Sequence, residues 1–154
     1  MKITALLSAL ALGLSTLAAF AYDYTLGSLV LEYPHANATL PGAPVSGGYL
    51  RIRNSGAEAD RLVTVEAAFA GKVEIHQMKM DGEVMQMRPV KGGLEVPAGG
   101  EVMLEPGGHH IMFMKMRHAL EAGSTEKVTL TFEKAGSIEV EFVVEEMKSG
   151  GHTH

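Results

Sequence analysis

Residues 73–88 read Val-Glu-Ile-His-Gln-Met-Lys-Met-Asp-Gly-Glu-Val-Met-Gln-Met-Arg. The stretch predicts a β-hairpin with Asp81-Gly82 as its two-residue turn, because this pair readily takes the positive φ angles that such turns require. That turn would place His76 opposite Met87 and Met78 opposite Met85. Because side chains alternate between the two faces of a strand, one face would carry an imidazole and four thioethers, those of His76, Met78, Met80, Met85 and Met87.

Short alternating segments follow one another along the rest of the chain, separated by turns rich in glycine and proline. This pattern predicts a single-domain antiparallel β-sandwich. Residues 34–48 are expected to form a loop because they contain three prolines, and residues 119–123 could form a single helical turn. The other expected strands are residues 22–33, 48–53, 61–67, 94–96, 101–104, 109–116, 128–132 and 138–144.

The N-terminal residues 1–21 have the pattern of an export signal. Lys2 precedes an uncharged run that ends in Ala19-Phe20-Ala21, an A-x-A cleavage pattern. We expect cleavage after Ala21, which would leave a periplasmic protein that is not embedded in a membrane; an uncleaved membrane anchor is the alternative. Residues 22–145 would then form the folded domain and residues 146–154 a flexible tail.

Composition excludes several classes of function. The part that follows the expected cleavage site carries 18 acidic and 12 basic residues, which argues against nucleic acid as a partner. The chain has no cysteine, so it can form neither a zinc-thiolate site nor an iron–sulfur cluster nor a blue-copper centre. The absence of cysteine also leaves no residue for a thiol-linked lipid anchor.

Eight of the ten methionines lie between Met78 and Met116, close to histidines. Thioether and imidazole are the donors that suit Cu(I), and unlike thiols they form no disulfides in an oxidising compartment. The expected strand 109–116 places His110 and Met112 on one face. We therefore predict one Cu(I) site with the ligands His76, Met87, His110 and Met112; the alternative is that the methionines only fill the core.

Further donors could take secondary roles. Extra sulfurs at Met78, Met85 or Met114 could serve as transient ligands or simply pack, and His109 is the neighbour of a predicted ligand. The tail could hold a second ion, which would be Cu(II) because imidazole suits that ion. Its candidate ligands are Met147, His152 and His154, although they could equally be incidental residues of a solvated terminus.

The spacing of these residues resembles the PCu(A)C-type periplasmic copper chaperones, whose motif is His, ten residues, Met, about twenty-one residues, then His-x-Met. Here ten residues separate His76 from Met87 and twenty-two separate Met87 from His110. The resemblance covers about residues 28–145 and departs from the family at His35 and Asn37, where Trp and Arg are usual. Further matching segments are Pro41-Gly42-Ala43, Gly48-Tyr49-Leu50, Met87-Arg88-Pro89-Val90, Val96-Pro97-Ala98-Gly99-Gly100 and Pro106-Gly107-Gly108.

The resemblance implies a cupredoxin-like sandwich that binds Cu(I) and passes it on without turning over a substrate. The acceptor implied is the cytochrome c oxidase subunit that carries the CuA centre, with other copper carriers as further partners. A scavenging or tolerance protein without a dedicated acceptor is the alternative. Three rivals from other classes are a copper-dependent redox enzyme, an electron-transfer cupredoxin, which the lack of cysteine disfavours, and a metal-free assembly module.

Overall fold

The computed structural model describes residues 23–147, and the expected signal peptide and the histidines at 152 and 154 lie outside this part. The described residues form strands, turns and bends without a helix, so residues 119–123 form no helical turn. None of them belongs to a helix that could cross a membrane. The strands are β1 (Tyr24–Leu26), β2 (Leu29–Asn37), β3 (Val45–Asn54), β4 (Asp60–Ala67), β5 (Ala70–Asp81), β6 (Val84–Pro89), β7 (Leu94–Val96), β8 (Glu101–Leu104), β9 (His109–Met116), β10 (Thr125–Phe132) and β11 (Gly136–Glu145).

The strands form one continuous hydrogen-bonded sheet in the order β6-β5-β9-β8-β3-β2-β11-β10-β4-β7, with β1 added to β2 and with β9 also paired to β3. The predicted all-β class is therefore confirmed. The sheet is mixed rather than purely antiparallel, because β2 pairs in parallel with β11 and β8 with β9. Alternation of side chains is the same in both kinds of pairing, so the sequence pattern could not disclose these two.

The core contains apolar side chains from both halves of this sheet. Phe113 of β9 has its ring centroid 4.8 Å from that of Phe69 and 6.2 Å from that of Phe142 of β11. Gly48 of β3 allows this packing, because a Cβ at that position would lie 2.7 Å from the Phe113 ring. Since Ile111 and Phe113 face the core, the alternate side chains of β9, which include His110 and Met112, face the other side of the sheet.

The hairpin forms, but its predicted register was wrong by two residues. Asp81 pairs with Val84, so the two-residue turn is Gly82-Glu83 and positive φ occurs at Gly82 (φ 67°). A turn with glycine at its first central position satisfies the twist of a hairpin as well as an Asp-Gly turn does. Met78 therefore faces Met87, Met80 faces Met85, and His76 faces Pro89 rather than Met87. A shift of two residues leaves every side chain on its predicted face.

Strand β2 also departs from the prediction, because it continues through Pro34 into the segment expected to be a loop. Its pairing with β3 shifts between Glu32 and His35, and Tyr33 has a positive φ of 50° at this irregularity. Beyond the shift, His35 to Asn37 pair with β11 on one side, where Pro34 removes no ladder hydrogen bond. β2 thus pairs with β3 both before and after the irregularity, with β1 before it and with β11 after it.

Asp60 ties the start of β4 to the turn between β10 and β11. Its buried carboxylate accepts backbone hydrogen bonds from Arg61 (2.7 Å), Lys134 (2.9 Å) and Ala135 (3.0 Å). Burial by itself raises the pKa of the Asp60 carboxyl, but these hydrogen bonds and the charge of Lys134 outweigh it, so that the pKa lies below its ordinary value. The carboxylate form is therefore the one that stabilises the fold.

We expect Asp60→Asn to lower the free energy of unfolding at pH 7 by about 1–3 kcal/mol, because an amide cannot accept all three N–H groups. The folded-state pKa is lower than the unfolded value of about 3.9, so the contribution of Asp60 is present above that value and is lost as the pH falls through the folded pKa. Urea unfolding of both proteins between pH 7 and pH 2 should show the difference shrinking at the acid end. The exposed Asp81→Asn is the matched control, and an equal loss there would contradict the assignment.

Candidate metal centre

The antiparallel pairing of β5 with β9 brings together the two halves of the predicted site. His76 lies directly opposite His110, and their ring centroids are 5.9 Å apart. Both imidazoles point away from the core, because their neighbours Ile75 and Ile111 are the core residues of the two strands. Residues 34 positions apart in the sequence thus become direct neighbours on one face of the sheet.

Thioethers lie on both sides of this imidazole pair. Toward the sheet interior, the next row on the same face contains Glu74, Met112 and Gly47 on β5, β9 and β3. Toward the hairpin, the next row contains Met78 and Met87. His76 and Met87 are therefore diagonal neighbours on adjacent strands, a separation that long side chains span.

Met78, Met87, His110 and Met112 line an open pocket of about 350 Å³, and the His76 ring packs against that of His110 beside it. Its walls come from β2 and the segment after it, from β3, and from the turn before β9. Tyr49 lies over Gly47, since a Cβ at Gly47 would be 2.5 Å from the Tyr49 hydroxyl oxygen, and that hydroxyl accepts a hydrogen bond from Asn37 Nδ2. The pocket is lined by Asn37, Ala38, Thr39, Val45, Ser46, Gly47, Tyr49, Met78, Met87, Pro106, Gly107, His110, Met112 and Met147.

One ring nitrogen of His110 has no hydrogen-bond partner among the described residues. Its Nδ1 lies 3.2 Å from the carbonyl oxygen of Gly108, which can only accept, so Nδ1 carries the proton. Its Nε2 is buried and has no hydrogen-bond partner among the described residues. Burial lowers the pKa of this imidazole below its ordinary value; the bond to Gly108 opposes the shift, and the nearby His76 and His109 add to it. The ring is therefore held neutral, with a lone pair on Nε2.

His76 has the complementary arrangement. Its Nε2 lies 2.7 Å from the Glu74 carboxylate, which in turn is 2.7 Å from the Lys72 ammonium. Hydrogen bonds from Lys72 and then from His76 lower the pKa of the Glu74 carboxyl, so this group is an acceptor. Nε2 of His76 therefore carries a proton, while the buried Nδ1 has no partner within residues 23–147. A carboxylate that fixes the tautomer of a histidine is a common feature around metal-ligating histidines.

The structure places only some of the predicted secondary residues at the pocket. Met78 and Met147 line the pocket with His110 and Met112. His109 lies on the opposite face of β9, opposite Gln77. Met114 is two residues further along the site face, opposite Lys72 and Val45, and Met85 is at the hairpin end, opposite Met80. The tail residues at 152 and 154 lie outside the described part of the chain.

Sequence reasoning did not find the walls of the pocket. Asn37, Gly47 and Tyr49 show no ligand pattern in the sequence, although Asn37 departs from the family pattern and Tyr49 lies in a segment that matches it. Glu74 was also missed, although its i to i+2 relation to His76 on a strand is the signal that could have indicated a partner on the same face.

The chemistry of the centre is soft and neutral. Its lining combines thioether sulfurs with an imidazole, and the second imidazole packs against the first. Among residues 23–147, no group of three or more His, Cys, Asp or Glu residues could hold a metal ion. Hard cations prefer oxygen ligands, whereas a polarisable ion such as Cu(I) suits the donors gathered here.

Residues 29–144 match the model of a family described as "Putative lipoprotein LpqE-like". A protein of Leifsonia xyli subsp. xyli (strain CTCB07), named "Putative lipoprotein Lxx21020", is 26% identical over 113 residues, which make up 73% of this chain and 68% of that protein.

Solved structures of PCuAC domains have the same fold. The apo PCuAC domain of PmoF1 and the copper-bound PCuAC domain of PmoF2 each superpose with a TM-score of 0.70 at 26% identity, covering 82% of this chain and 100% and 99% of theirs. The CuI-DR1885 solution structure from Deinococcus radiodurans, at 22% identity and a TM-score of 0.65, covers 87% of both chains and shows the fold alone. The predicted resemblance and the cupredoxin-like fold are thus confirmed.

The two hydrogen-bond partners predict opposite tautomers in the metal-free protein. Nitrogen-15 NMR at pH 8 should show His110 protonated at Nδ1 and His76 protonated at Nε2. In Glu74→Ala we expect His76 to become a tautomer mixture while His110 is unchanged, which makes His110 the internal control. Protonation of His110 at Nε2 would contradict the geometry.

Proposed function

This chain belongs to the LpqE-like family, and from that premise we propose that it is an exported copper carrier that holds Cu(I) in the pocket between β5, β6 and β9. The observation that supports this most directly is that His76 Nδ1 and His110 Nε2 are buried without a hydrogen-bond partner among residues 23–147, in rings 5.9 Å apart, and that His110 lines a pocket with thioethers. Buried polar atoms without partners are rare in folded proteins, and a bound ion is one of the few explanations for two adjacent ones. The copper-bound PmoF2 domain gives independent support for copper as the cargo.

We assign the ligands as Nδ1 of His76, Nε2 of His110 and the sulfurs of Met87 and Met112. The hydrogen bonds to Glu74 and Gly108 place the N–H on the other nitrogen of each ring, so that His76 Nδ1 and His110 Nε2 carry the lone pairs of the neutral rings. All four donors are uncharged, which suits a monovalent ion. Met78 and Met147 could replace a sulfur during exchange, whereas His109 faces away and has no role.

Delivery requires that an acceptor replace the ligands one at a time. Met87 is 46% exposed, whereas the two imidazoles are buried. We infer that an acceptor displaces the exposed Met87 first, while His110 and Met112 still hold the ion within the pocket. Such ligand exchange leaves the oxidation state of copper unchanged and turns over no substrate. We therefore propose that the protein acts as a carrier and not as an enzyme.

The CuA centre of cytochrome c oxidase is the acceptor that we propose, with a periplasmic location after cleavage at Ala21. The alternative is copper scavenging or tolerance without a dedicated acceptor. A transfer assay separates the two, because a carrier should metallate the apo CuA subunit faster than free Cu(I) at the same buffered concentration. Oxygen consumption with a reductant and substrate would instead favour the redox-enzyme alternative.

Removing single ligands should weaken Cu(I) binding. We expect His76→Ala, Met87→Leu, His110→Ala and Met112→Leu each to lower the Cu(I) affinity by about 10-fold or more, since even changes outside the ligand shell commonly cost that much. Competition against a chromogenic Cu(I) chelator under anaerobic conditions measures this.

Two exposed residues away from the pocket provide matched controls for this titration. Met103→Leu and His118→Ala should leave the Cu(I) affinity unchanged, because Met103 lies on β8 and His118 contacts Glu126. Unchanged affinity in two or more of the four ligand variants would refute the assignment.

The tail is proposed to bind a second ion as Cu(II), through His152 and His154 with Met147. Deletion of residues 147–154 should then reduce the Cu(II) stoichiometry by one while leaving one tightly bound Cu(I), because the four assigned ligands remain. Parallel Cu(II) and Cu(I) titrations of both chains measure this. An unchanged Cu(II) stoichiometry would remove the tail site from the proposal.

A further inference from the structure

The hairpin projects beyond the rest of the sheet. Pairing between β5 and β9 ends at Gln77 and His109, and the next backbone contact is the hydrogen bond from Met78 N to Gly108 O at 3.2 Å. From there to the turn at Gly82-Glu83, β5 and β6 are paired only with each other. The outer part of the hairpin is thus a two-stranded ribbon that begins at the pocket.

The two faces of this ribbon differ in chemistry. One face carries Lys79, Gln86 and Arg88, with Arg88 Nη2 2.7 Å from Gln86 Oε1 and 3.6 Å from the Asp81 carboxylate. At the paired positions beyond Gln77, the other face carries the four thioethers of Met78, Met80, Met85 and Met87.

The outer thioethers are not packing residues. Met80 and Met85 are 56% and 51% exposed, and neither belongs to the core or packs against it. Met116, by contrast, packs against the core, as an ordinary structural methionine does. Exposed apolar groups that lie together on one face usually mark a binding site.

The observed register makes this face a ladder of two thioether pairs. Met80 lies directly opposite Met85, and Met78 directly opposite Met87. Opposite residues in an antiparallel pair have Cα atoms about 4.5–5.5 Å apart, and the flexible methionine side chain lets two sulfurs approach one ion. The register first expected from the sequence would have placed Met85 opposite Met78 instead of opposite Met80.

From this arrangement we infer a second, outer Cu(I) site composed of the Met80 and Met85 sulfurs at the hairpin tip. It rests on the proposed function and adds a route to it: the ion moves between the tip and the pocket through the Met78–Met87 pair. Each step forms one Cu–S bond as another breaks, so copper remains Cu(I) and no proton is transferred. With thioethers alone and greater exposure, the outer site binds more weakly than the imidazole site.

Ag(I) is the probe of choice, because it has the same charge and preference for sulfur as Cu(I) and is not oxidised in air. Full-length protein with carbon-13-labelled methionine methyl groups is titrated with Ag(I), and then with Cu(I) under anaerobic conditions. We expect the first equivalent to shift the methyl signals of Met87 and Met112, and a second, weaker equivalent to shift those of Met80 and Met85.

The double variant Met80→Leu/Met85→Leu keeps the size and apolar character of the tip but removes its sulfurs. It should lose the second, weaker equivalent and keep the first with unchanged affinity. Met103→Leu, an exposed methionine on another strand, is the matched control and should keep both.

Two results would overturn the inference: methyl signals of Met80 and Met85 that do not move, or a double variant that keeps the second equivalent. Slower transfer to an acceptor by a double variant with unchanged binding would also overturn it and would assign the tip to protein docking. The variant His76→Ala/His110→Ala separates the two proposals. It should lose the tight equivalent and keep the tip signals, whereas failure of the carrier proposal would leave the tight equivalent in place in this variant.

Discussion

The register between β5 and β9 is the constraint on which the candidate centre depends. It places His76 beside His110 and thereby fixes which rows lie on either side of them. A slip of β9 by one residue relative to β5 would turn His110 into the core and bring Ile111 to the other face of the sheet. The register is therefore held by the burial of Ile75, Ile111 and Phe113, each at most 7% exposed, rather than by the polar groups. The apolar core and the candidate metal centre thus lie on opposite faces of the same pair of strands.

The same pairing explains how the centre can be buried and remain accessible. The two imidazoles are buried near the end of the β5–β9 pairing, one residue before its last pair, while Met87 lies on the ribbon that extends beyond that pairing and is 46% exposed. Hydrogen bonds from Lys72 to Glu74 and from His76 to Glu74 extend along β5 on the same face. The pairing of β5 with β9 thus orients the two imidazoles, and the part of the hairpin beyond that pairing exposes Met87.

The sequence allowed the face of each donor to be predicted but not its neighbours. Side-chain alternation predicted that His76, Met78, Met80, Met85 and Met87 share a face. The prediction is confirmed because the register differs from the expected one by two residues, and an even shift leaves the faces unchanged. The choice between Asp81-Gly82 and Gly82-Glu83 could not be made locally, since both turns can accommodate the twist. The walls at Asn37 and Tyr49 depend on β2 and β3, far away in the sequence, and on the irregularity at Tyr33.

The end of β11 has a further consequence for the centre. Because β11 runs parallel to β2 and stops at Glu145, whose carbonyl accepts a hydrogen bond from Ala38 N, Met147 reaches the wall of the pocket. Whatever follows Met147 in the chain is covalently tethered there. A short covalent link gives the donor groups attached to it an effective concentration of about millimolar at the point of attachment. Groups on this terminus therefore encounter the pocket as an intramolecular neighbour, at a rate that dilution of the protein does not reduce.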